Sequence, residues 1–538
     1  MIPDTVDPIT LEVIKNRLVG ITEEMGAALM RTAFSPNIKE RRDFSCAVFN
    51  HKGEMVAQAA HIPVHLGAMP FAVSEVLKDV EIGPGDMILL NDPFRGGTHL
   101  PDLTLVMPVF IKGRSPDFFL VNRAHHADVG GMAPGSLPLA NNIFQEGLRI
   151  PPLKVVVNGE LCPTAVALLE ANVRTPQERV GDLQAQIAAN RLGERRIREL
   201  VAEKGLPETR ICCDALLAYG EKIMHHIISS IPDGSYSFTD FLDDDGISDK
   251  PVPIHCQLNI NGENAFIDFN GSSPQVEGSL NAVRAITISA VLYTFRLLGP
   301  EGMPSNSGCL RPLHVITPKN SIVDAAFPAA VGGGNVETSQ RIVDVLLGAL
   351  AQALPEKIPA ASAGTMNNLT VGGVNPANGE LFAYYETIAG GAGGSPFGIG
   401  MDGIQTHMTN TLNTPVEALE NVLPIRLHRY TLRRGSAGEG QFRGGCGIVR
   451  ELEFLAPVQV NILSERRKRG PYGLAGGKNG LPGRNILIRE GESREIPSKT
   501  ALNVQAGDRI RIETPGGGGW GKPSDMDIDG CFTNEERP

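Results

Sequence analysis

Glycine and proline punctuate this chain densely, at 61 and 39 of its 538 residues. Glycine permits positive φ and close backbone approach, whereas proline interrupts helices and central strands. The chain is therefore predicted to fold through many turns and tight backbone crossings, not through long coiled helices. The punctuation is strongest after about residue 425, in Arg443-Gly444-Gly445-Cys446-Gly447, Gly473-Leu474-Ala475-Gly476-Gly477 and Thr514-Pro515-Gly516-Gly517-Gly518-Gly519-Trp520-Gly521. Short strands separated by such turns predict an all-β unit there.

A chain of this length exceeds what one ordinary core fills, and about two to four packed units are expected. Its hydrophobic fraction of 42% and charged fraction of 20% exclude a disordered polymer. The net charge of −11, without a basic block, argues against nucleic acid or an anionic membrane surface as partner. Trp520 is the only tryptophan, so aromatic stacking is not the main binding device. The eight cysteines (46, 162, 212, 213, 256, 309, 446 and 531) form no C-x-x-C pair. Cys212-Cys213 reads as two packed thiols on a helix. Met1-Ile2-Pro3-Asp4 lacks the basic and apolar regions of a signal peptide, and no apolar run reaches the roughly 18 residues of a membrane helix. A cytoplasmic, soluble protein is expected.

The pattern predicts an α+β fold with mixed sheets and helices in four units: 1–164, a helical insertion at 165–230, a central α+β unit at 231–424, and the β-rich unit at 425–538. A long amphipathic helix is predicted from Asp7 to Ala33, capped by Asp7 or Thr10. A hairpin follows, with strands 43–49 and 54–59 around Asn50-His51-Lys52-Gly53. A helix at Met69–Val80, a strand at Met87–Leu90, and strands at Leu103–Phe110 and Phe118–Arg123 come next. Helical spacing dominates 168–203 and 211–230. Strands return from Tyr236, notably Cys256–Ile260 and Ala265–Phe269, and Glu337–Ala353 reads as a buried helix.

The chemistry concentrates between Asn91 and Gly131, where H-x-x-D occurs twice, as His99…Asp102 and His125…Asp128. If Leu103–Phe110 and Phe118–Arg123 form an antiparallel hairpin, His99 and Asp102 meet His125 at its open end. Two imidazoles and a carboxylate suit Zn²⁺, Mn²⁺ or Fe²⁺. Asp43 opens one strand of the upstream hairpin and is a further candidate ligand, with His61 or His65 weaker ones. His126 points to the opposite side of an extended segment. The bland alternative is that these side chains merely cap loops. Neither Val331-Gly332-Gly333-Gly334-Asn335 nor Gly390-Gly391-Ala392-Gly393-Gly394-Ser395 fits a nucleotide-binding pattern, so both are read as turns or close backbone approaches. Arg466-Arg467-Lys468-Arg469 is read as a solvated loop.

Several of these segments together resemble the hydantoinase B/oxoprolinase family. They are Asp7-Pro8-Ile9-Thr10-Leu11-Glu12-Val13-Ile14, Ser35-Pro36-Asn37-Ile38-Lys39-Glu40-Arg41-Arg42-Asp43-Phe44-Ser45, Asn91-Asp92-Pro93 with Gly96-Gly97-Thr98-His99, and His125-His126-Ala127-Asp128-Val129-Gly130-Gly131. Gln145-Glu146-Gly147, Phe442-Arg443-Gly444-Gly445 and the glycine run after Thr514 complete the set. The family includes N-methylhydantoinase β subunits, the C-terminal part of 5-oxoprolinases, and large subunits of acetone and acetophenone carboxylases.

The resemblance implies an ATP-dependent cyclic amide hydrolase acting with a hydantoinase A-type, actin-like ATPase subunit in a hetero-oligomer such as α2β2. ATP and Mg would be used by that partner, which phosphorylates the amide oxygen. It also implies a divalent metal held by an Asp and two His, matching His99, Asp102 and His125, with Asp43 adjoining; Asp43 and Asp102 both stay open as the direct carboxylate ligand. Water activated there would attack the amide carbon of a hydantoin or lactam, with Asp128 or Asp92 accepting a proton or orienting a histidine. A ketone carboxylase subunit and a non-catalytic scaffold for the ATPase are the alternatives.

Overall fold

A computed structural model describes residues 6–59 and 62–523. His61, Cys531 and the end of the expected C-terminal unit lie outside the described residues.

Helix α1 spans Pro8–Thr32. Asp7 caps it, accepting a hydrogen bond from the Thr10 amide at 2.9 Å. Pro8 takes a first-turn position that needs no N–H. Leu11, Ile14, Leu18, Ile21, Met25 and Leu29 form its buried stripe, the spacing of one helical face. Helix α2 (Pro36–Lys39), strands β1 (Phe44–Asn50) and β2 (Met55–Gln58), helix α3 (Met69–Asp79), and strands β3 (Met87–Leu90), β4 (Asp102–Val109), β5 (Phe118–His125), β6 (Leu153–Val157) and β7 (Glu160–Leu161) follow. The seven strands form one sheet ordered β2-β1-β5-β4-β3-β6-β7.

Both faces of that sheet are covered. Cys46, Val48, Leu105, Met107 and Leu120 face the main core, while Ala47, Phe49, Val106, Phe119 and Val121 pack with Met69, Val73 and Val76 of α3. Its central strands are therefore fully buried and read as apolar runs instead of alternating ones.

The helical middle exists, but as three helices: α4 (Pro163–Ala171), α5 (Pro176–Lys204) and α6 (Leu206–Ser229). The continuous helix expected across 168–203 breaks after Ala171 and restarts at Pro176. A proline disfavours helical backbone in the residue before it and serves well as a first helical residue. Helix α5 lies on the first sheet, where the Gln186 amide donates to Leu103 O at 2.9 Å and to Asn122 Oδ1 at 2.8 Å. Cys212 and Cys213 are buried free thiols on α6.

Strands β8 (Gly234–Leu242), β9 (Val252–Asn261), β10 (Asn264–Asp268) and β11 (Leu313–Ile316) form a second sheet, ordered β11-β10-β9-β8. Helix α7 (Arg284–Arg296) lies between β10 and β11, and helix α8 (Ser339–Ala353) follows β11. Helix α8 starts later than expected, because Gly334–Thr338 form a π-helical turn ahead of it. One apolar core joins Leu18 of α1, Leu200 of α5, Met224 of α6, Phe295 of α7 and Ile342 of α8.

The remaining strands form a four-stranded and a five-stranded sheet around a second core that includes Val371, Ile448, Val460 and Ile510. Strand Asn368–Val374 pairs with Val458–Leu463 across residue 425. The glycine-rich segments cross one another here: Gly517 N donates to Gly445 O at 2.9 Å. A Cβ on Gly517 would lie 1.9 Å from Ala392 O, so only glycine fits that crossing.

The basic run is solvated only in its second half: Lys468 and Arg469 are exposed, whereas Arg466 and Arg467 turn inward. Arg466 is 2% exposed, and its Nη2 lies 2.7 Å from both Asp240 and Asp344. Arg467 is held by Asn485 at 2.9 Å, while Lys468 is exposed and pairs with Asp244 at 2.9 Å. The acidic partners come from β8, the segment after it, and α8, more than a hundred residues away. Local sequence carried no sign of them. No helix among the described residues is long and apolar enough to cross a membrane.

Candidate metal centre

Strand β4 begins at Asp102 and β5 ends at His125, and their antiparallel register sets the two residues opposite each other. The expected hairpin-end convergence therefore forms. The segment leading to His99 is fixed by its own polar groups. Asp92 accepts from Phe94 N at 3.0 Å, and Asn91 Nδ2 donates to Leu100 O at 2.7 Å. His99 Nε2 ends 3.0 Å, and His125 Nδ1 3.3 Å, from Asp102 Oδ1. One ligand-type atom from each of the three residues lies within 4.8 Å of the others, and all three are buried.

These short separations are not well-formed hydrogen bonds. Asp102 Oδ1 and His125 Nε2 are both buried without a hydrogen-bonding partner. A buried, unpartnered carboxylate oxygen is costly. Two imidazoles converging beside it form a donor set that fits a divalent cation of the Zn, Mn or Fe type.

Surrounding groups orient these donors. His99 Nδ1 faces Gly332 O at 3.4 Å; a carbonyl can only accept, so in the neutral, ligand-competent ring the proton belongs on Nδ1 and the Nε2 lone pair faces Asp102. Asp102 Oδ2 accepts from Thr98 Oγ1 at 2.7 Å and faces His65 Nε2 at 3.3 Å. His65 thus backs Asp102, with its Nδ1 2.9 Å from Ser45 Oγ. The His125 ring stacks on Tyr385 with centroids 4.7 Å apart, and Arg41 lies over the Tyr385 ring at 4.7 Å. Asp43, His65, Asp102, His125, Asn335 and Tyr385 help line a cavity of about 20 Å³. That is room for about one water-sized occupant.

Burial alone would lower the pKa of His99, but the charge and close approach of Asp102, the Gly332 carbonyl and Asp43 raise it overall. Burial opposes ionisation of Asp102 too, yet His99, His65 and His125 hold its carboxyl well below the usual range. Burial dominates at His125 and lowers it, which keeps the ring neutral as a metal ligand must be.

The other sequence candidates separate by place. Asp43 lines the cavity, and its carbonyl accepts from His125 N at 3.0 Å. His126 points the other way, as strand alternation requires, with its Nε2 3.0 Å from Gln186 Oε1. Asp128 is clamped by the Arg174 guanidinium at 2.8 Å. Asp92 caps the turn before His99 and lies 3.7 Å from Arg149. His61 lies outside the described residues.

Sequence reasoning missed the role of the segment Val331–Asn335, which it read only as a turn or a close backbone approach. Besides the Gly332 carbonyl, this segment presents Asn335 Nδ2 3.0 Å from His99 Nε2. Glu146 Oε1 anchors it by accepting from Val331 N at 2.9 Å and Gly332 N at 2.8 Å. The only signal available was polar Asn335 closing an apolar glycine run, and it names no partner.

Glu146 supports a pH prediction. Burial pushes its carboxyl up from 4.5 to about 7, against the pull of the Gly332 and Val331 amides and His99. The folded state therefore holds this proton more tightly than the unfolded chain. The associated stability is whole below pH 4.5 and is lost as pH rises through about 7. At about 1.4 kcal/mol per pH unit, the loss approaches about 3 kcal/mol. Glu146→Gln keeps the acceptor oxygen and removes the titration. Its melting temperature relative to wild type should rise by several degrees between pH 5 and pH 8; a pH-independent difference would refute the assignment.

The sequence profile of the hydantoinase B/oxoprolinase family matches residues 7–523. The chain is 42% identical over 547 residues to 5-oxoprolinase 1 of Arabidopsis thaliana, covering 96% of this chain and 42% of that protein. It thus spans about two fifths of the length of that relative. It is 32% identical to the B-type subunit of a putative D-/L-hydantoinase from a Pseudomonas species, covering 99% of this chain and 94% of that one. Among solved structures, the ATP-dependent caprolactamase from Pseudomonas jessenii is similar with a TM-score of 0.90 and 31% identity, covering 96% of this chain and 92% of that chain. Acetone carboxylase, nucleotide-free, shares the fold with a TM-score of 0.88 at 19% identity, covering 96% of this chain and 76% of that chain.

Proposed function

Because the chain belongs to the hydantoinase B/oxoprolinase family, we propose that it is the ring-opening subunit of an ATP-dependent cyclic amide hydrolase, working with a hydantoinase A-type ATPase. The observation that carries this reading is the buried convergence of His99, Asp102 and His125, with Asp102 Oδ1 and His125 Nε2 left unpartnered. Similarity to a caprolactamase and to a B-type hydantoinase subunit favours amide hydrolysis. The likeness to acetone carboxylase carries only the fold. The 5-oxoprolinase contains more sequence beyond the matched part than within it, and the Pseudomonas hydantoinase relative is itself one subunit of its enzyme. Both facts support a second segment or polypeptide as the source of phosphorylation.

In this reading His99, Asp102 and His125 hold a divalent ion, with Asp43 adjoining. Such an ion supplies Lewis-acid polarisation and lowers the pKa of a bound water toward about 7. Phosphorylation of the amide oxygen makes the ring carbon electrophilic; water adds there, the C–N bond breaks as the nitrogen takes a proton, and the acyl phosphate left behind is hydrolysed to carboxylate and phosphate. Coupling to ATP drives the opening of an otherwise unstrained ring. Asp43, on the cavity wall, is placed to take a proton. Asp92 and Asp128 act as positioning residues, holding the segments that carry His99 and His125. The cavity of about 20 Å³ is far below the roughly 300 Å³ of a small-ligand pocket, so substrate entry requires its walls to part.

The test combines the chain with a hydantoinase A-type ATPase and follows metal content, phosphate release and product on hydantoins, lactams and ketones, with and without bicarbonate. Ring-opened product is expected only with both polypeptides and ATP, and the isolated chain should bind ATP no better than weakly. Micromolar ATP binding by this chain alone in calorimetry would reject the division of labour. Bicarbonate-dependent ketone consumption would replace hydrolase with carboxylase.

A further inference from the structure

We infer that Asn335 is a fourth protein group of the metal centre, offering its side-chain oxygen to the ion held by His99, Asp102 and His125. The inference rests on the metal reading above and adds a residue to it.

Asn335 is 4% exposed and lines the same cavity as Asp102 and His125. Its Nδ2 is 3.0 Å from His99 Nε2, while its Oδ1 is buried with no hydrogen-bonding partner. In the neutral ring the His99 proton belongs on Nδ1, where the Gly332 carbonyl can accept it. The Nε2 lone pair therefore has two neighbours, Asp102 Oδ1 at 3.0 Å and the Asn335 amide. Nitrogen and oxygen of a side-chain amide are nearly the same in shape, and they exchange places by a half-turn about the last side-chain bond. With an ion at His99 Nε2, the amide hydrogen bond to that nitrogen is lost. The half-turn then brings the unpartnered Oδ1 to the position Nδ2 occupies. Two imidazole nitrogens, one carboxylate oxygen and one amide oxygen form a donor set within the range of the cations considered.

The backbone gives a reason for the placement. Gly334–Thr338 is a π-helical turn, a rare form that re-aims side chains and recurs at functional sites. The turn is held by Ser339 Oγ donating to Asn335 O at 2.7 Å and Gly333 N donating to Ser279 O at 2.8 Å. A Cβ on Gly334 would lie 2.0 Å from Asn281 O. The turn is thus locked against its neighbours with Asn335 facing the three ligands.

The experiment measures Zn²⁺ affinity by chelator competition on the full chain: wild type, His99→Ala, Asn335→Ala and Asn335→Asp, each checked for a wild-type melting curve. Wild type is expected to bind about one ion and His99→Ala none. Asn335→Ala should bind on the order of ten-fold or more weakly, and Asn335→Asp, which restores an oxygen ligand of the same shape, should recover wild-type affinity or exceed it. Wild type that binds no ion overturns the metal reading and this inference with it. Wild type that binds while Asn335→Ala stays within two-fold overturns the role of Asn335 alone. If the variants do not fold, a Zn²⁺-soaked crystal of wild type decides. Asn335 Oδ1 at roughly 2 Å from the ion supports the inference, and a separation beyond about 3 Å overturns it.

Discussion

His125→Ala should reduce ring-opened product by roughly a thousand-fold or more in the proposed complex with the ATPase subunit, while first-turnover ADP formation, which reports phosphorylation, falls far less. The asymmetry follows from the site. His125 faces Asp102 across β4 and β5 and supplies one of the three converging donors. Loss of a donor removes water activation, which lowers the pKa from about 15.7 to about 7 at such centres. Phosphorylation of the amide oxygen needs none of these side chains. The His125 ring also stacks on Tyr385 at 4.7 Å, so deletion leaves a void, and the purified complex must first be shown to assemble. First-turnover ADP and ring-opened product are then measured on the same samples. Assembly with wild-type product formation would refute the hydrolytic role of the centre. Loss of soluble expression and assembly together would instead identify a metal that only holds the fold.

The largest stability effect is expected at Glu386→Ala, at about 3–5 kcal/mol. Glu386 and Arg450 are both buried, and Arg450 grips the carboxylate with Nε at 2.7 Å and Nη2 at 2.9 Å. Tyr384 Oη at 2.9 Å and Asn413 Nδ2 at 3.1 Å complete the acceptor set. The pair ties strand Leu381–Glu386 of the four-stranded sheet to strand Gly447–Phe454 of the five-stranded one. Removing only the carboxylate leaves a guanidinium buried and uncompensated, which costs more than losing both partners. Denaturant unfolding should therefore find Glu386→Ala less stable than the double variant Glu386→Leu, Arg450→Leu. The reverse order would mean that Arg450 reaches water when unpaired.

Much of this protein was legible in its sequence because the decisive signals were local. Helical spacing from Leu11 to Leu29 and the Asp7 cap announced α1. The two strands around residues 103–123 implied a hairpin, and that hairpin alone sufficed to bring His99 and Asp102 to His125. Alternation along an extended segment separated His125 from His126. Pairing of neighbouring strands is the shortest-range tertiary event, so its consequences can be drawn from spacing.

Contacts between distant segments were settled only by the tertiary structure. The basic run at Arg466 reads as solvated until β8 and α8 bring Asp240 and Asp344 to it. The glycines near residues 334 and 517 read as turns or close approaches, but which backbone they meet, Asn281 O and Ala392 O, was decided only by the packing. Asn335 has no meaning in its own segment, and acquires one when a π-helical turn sets it against a histidine more than two hundred residues earlier. Chain periodicity encodes which face of an element is apolar. It does not encode which distant polar group will complete a buried charge, since that depends on how the sheets and helices pack.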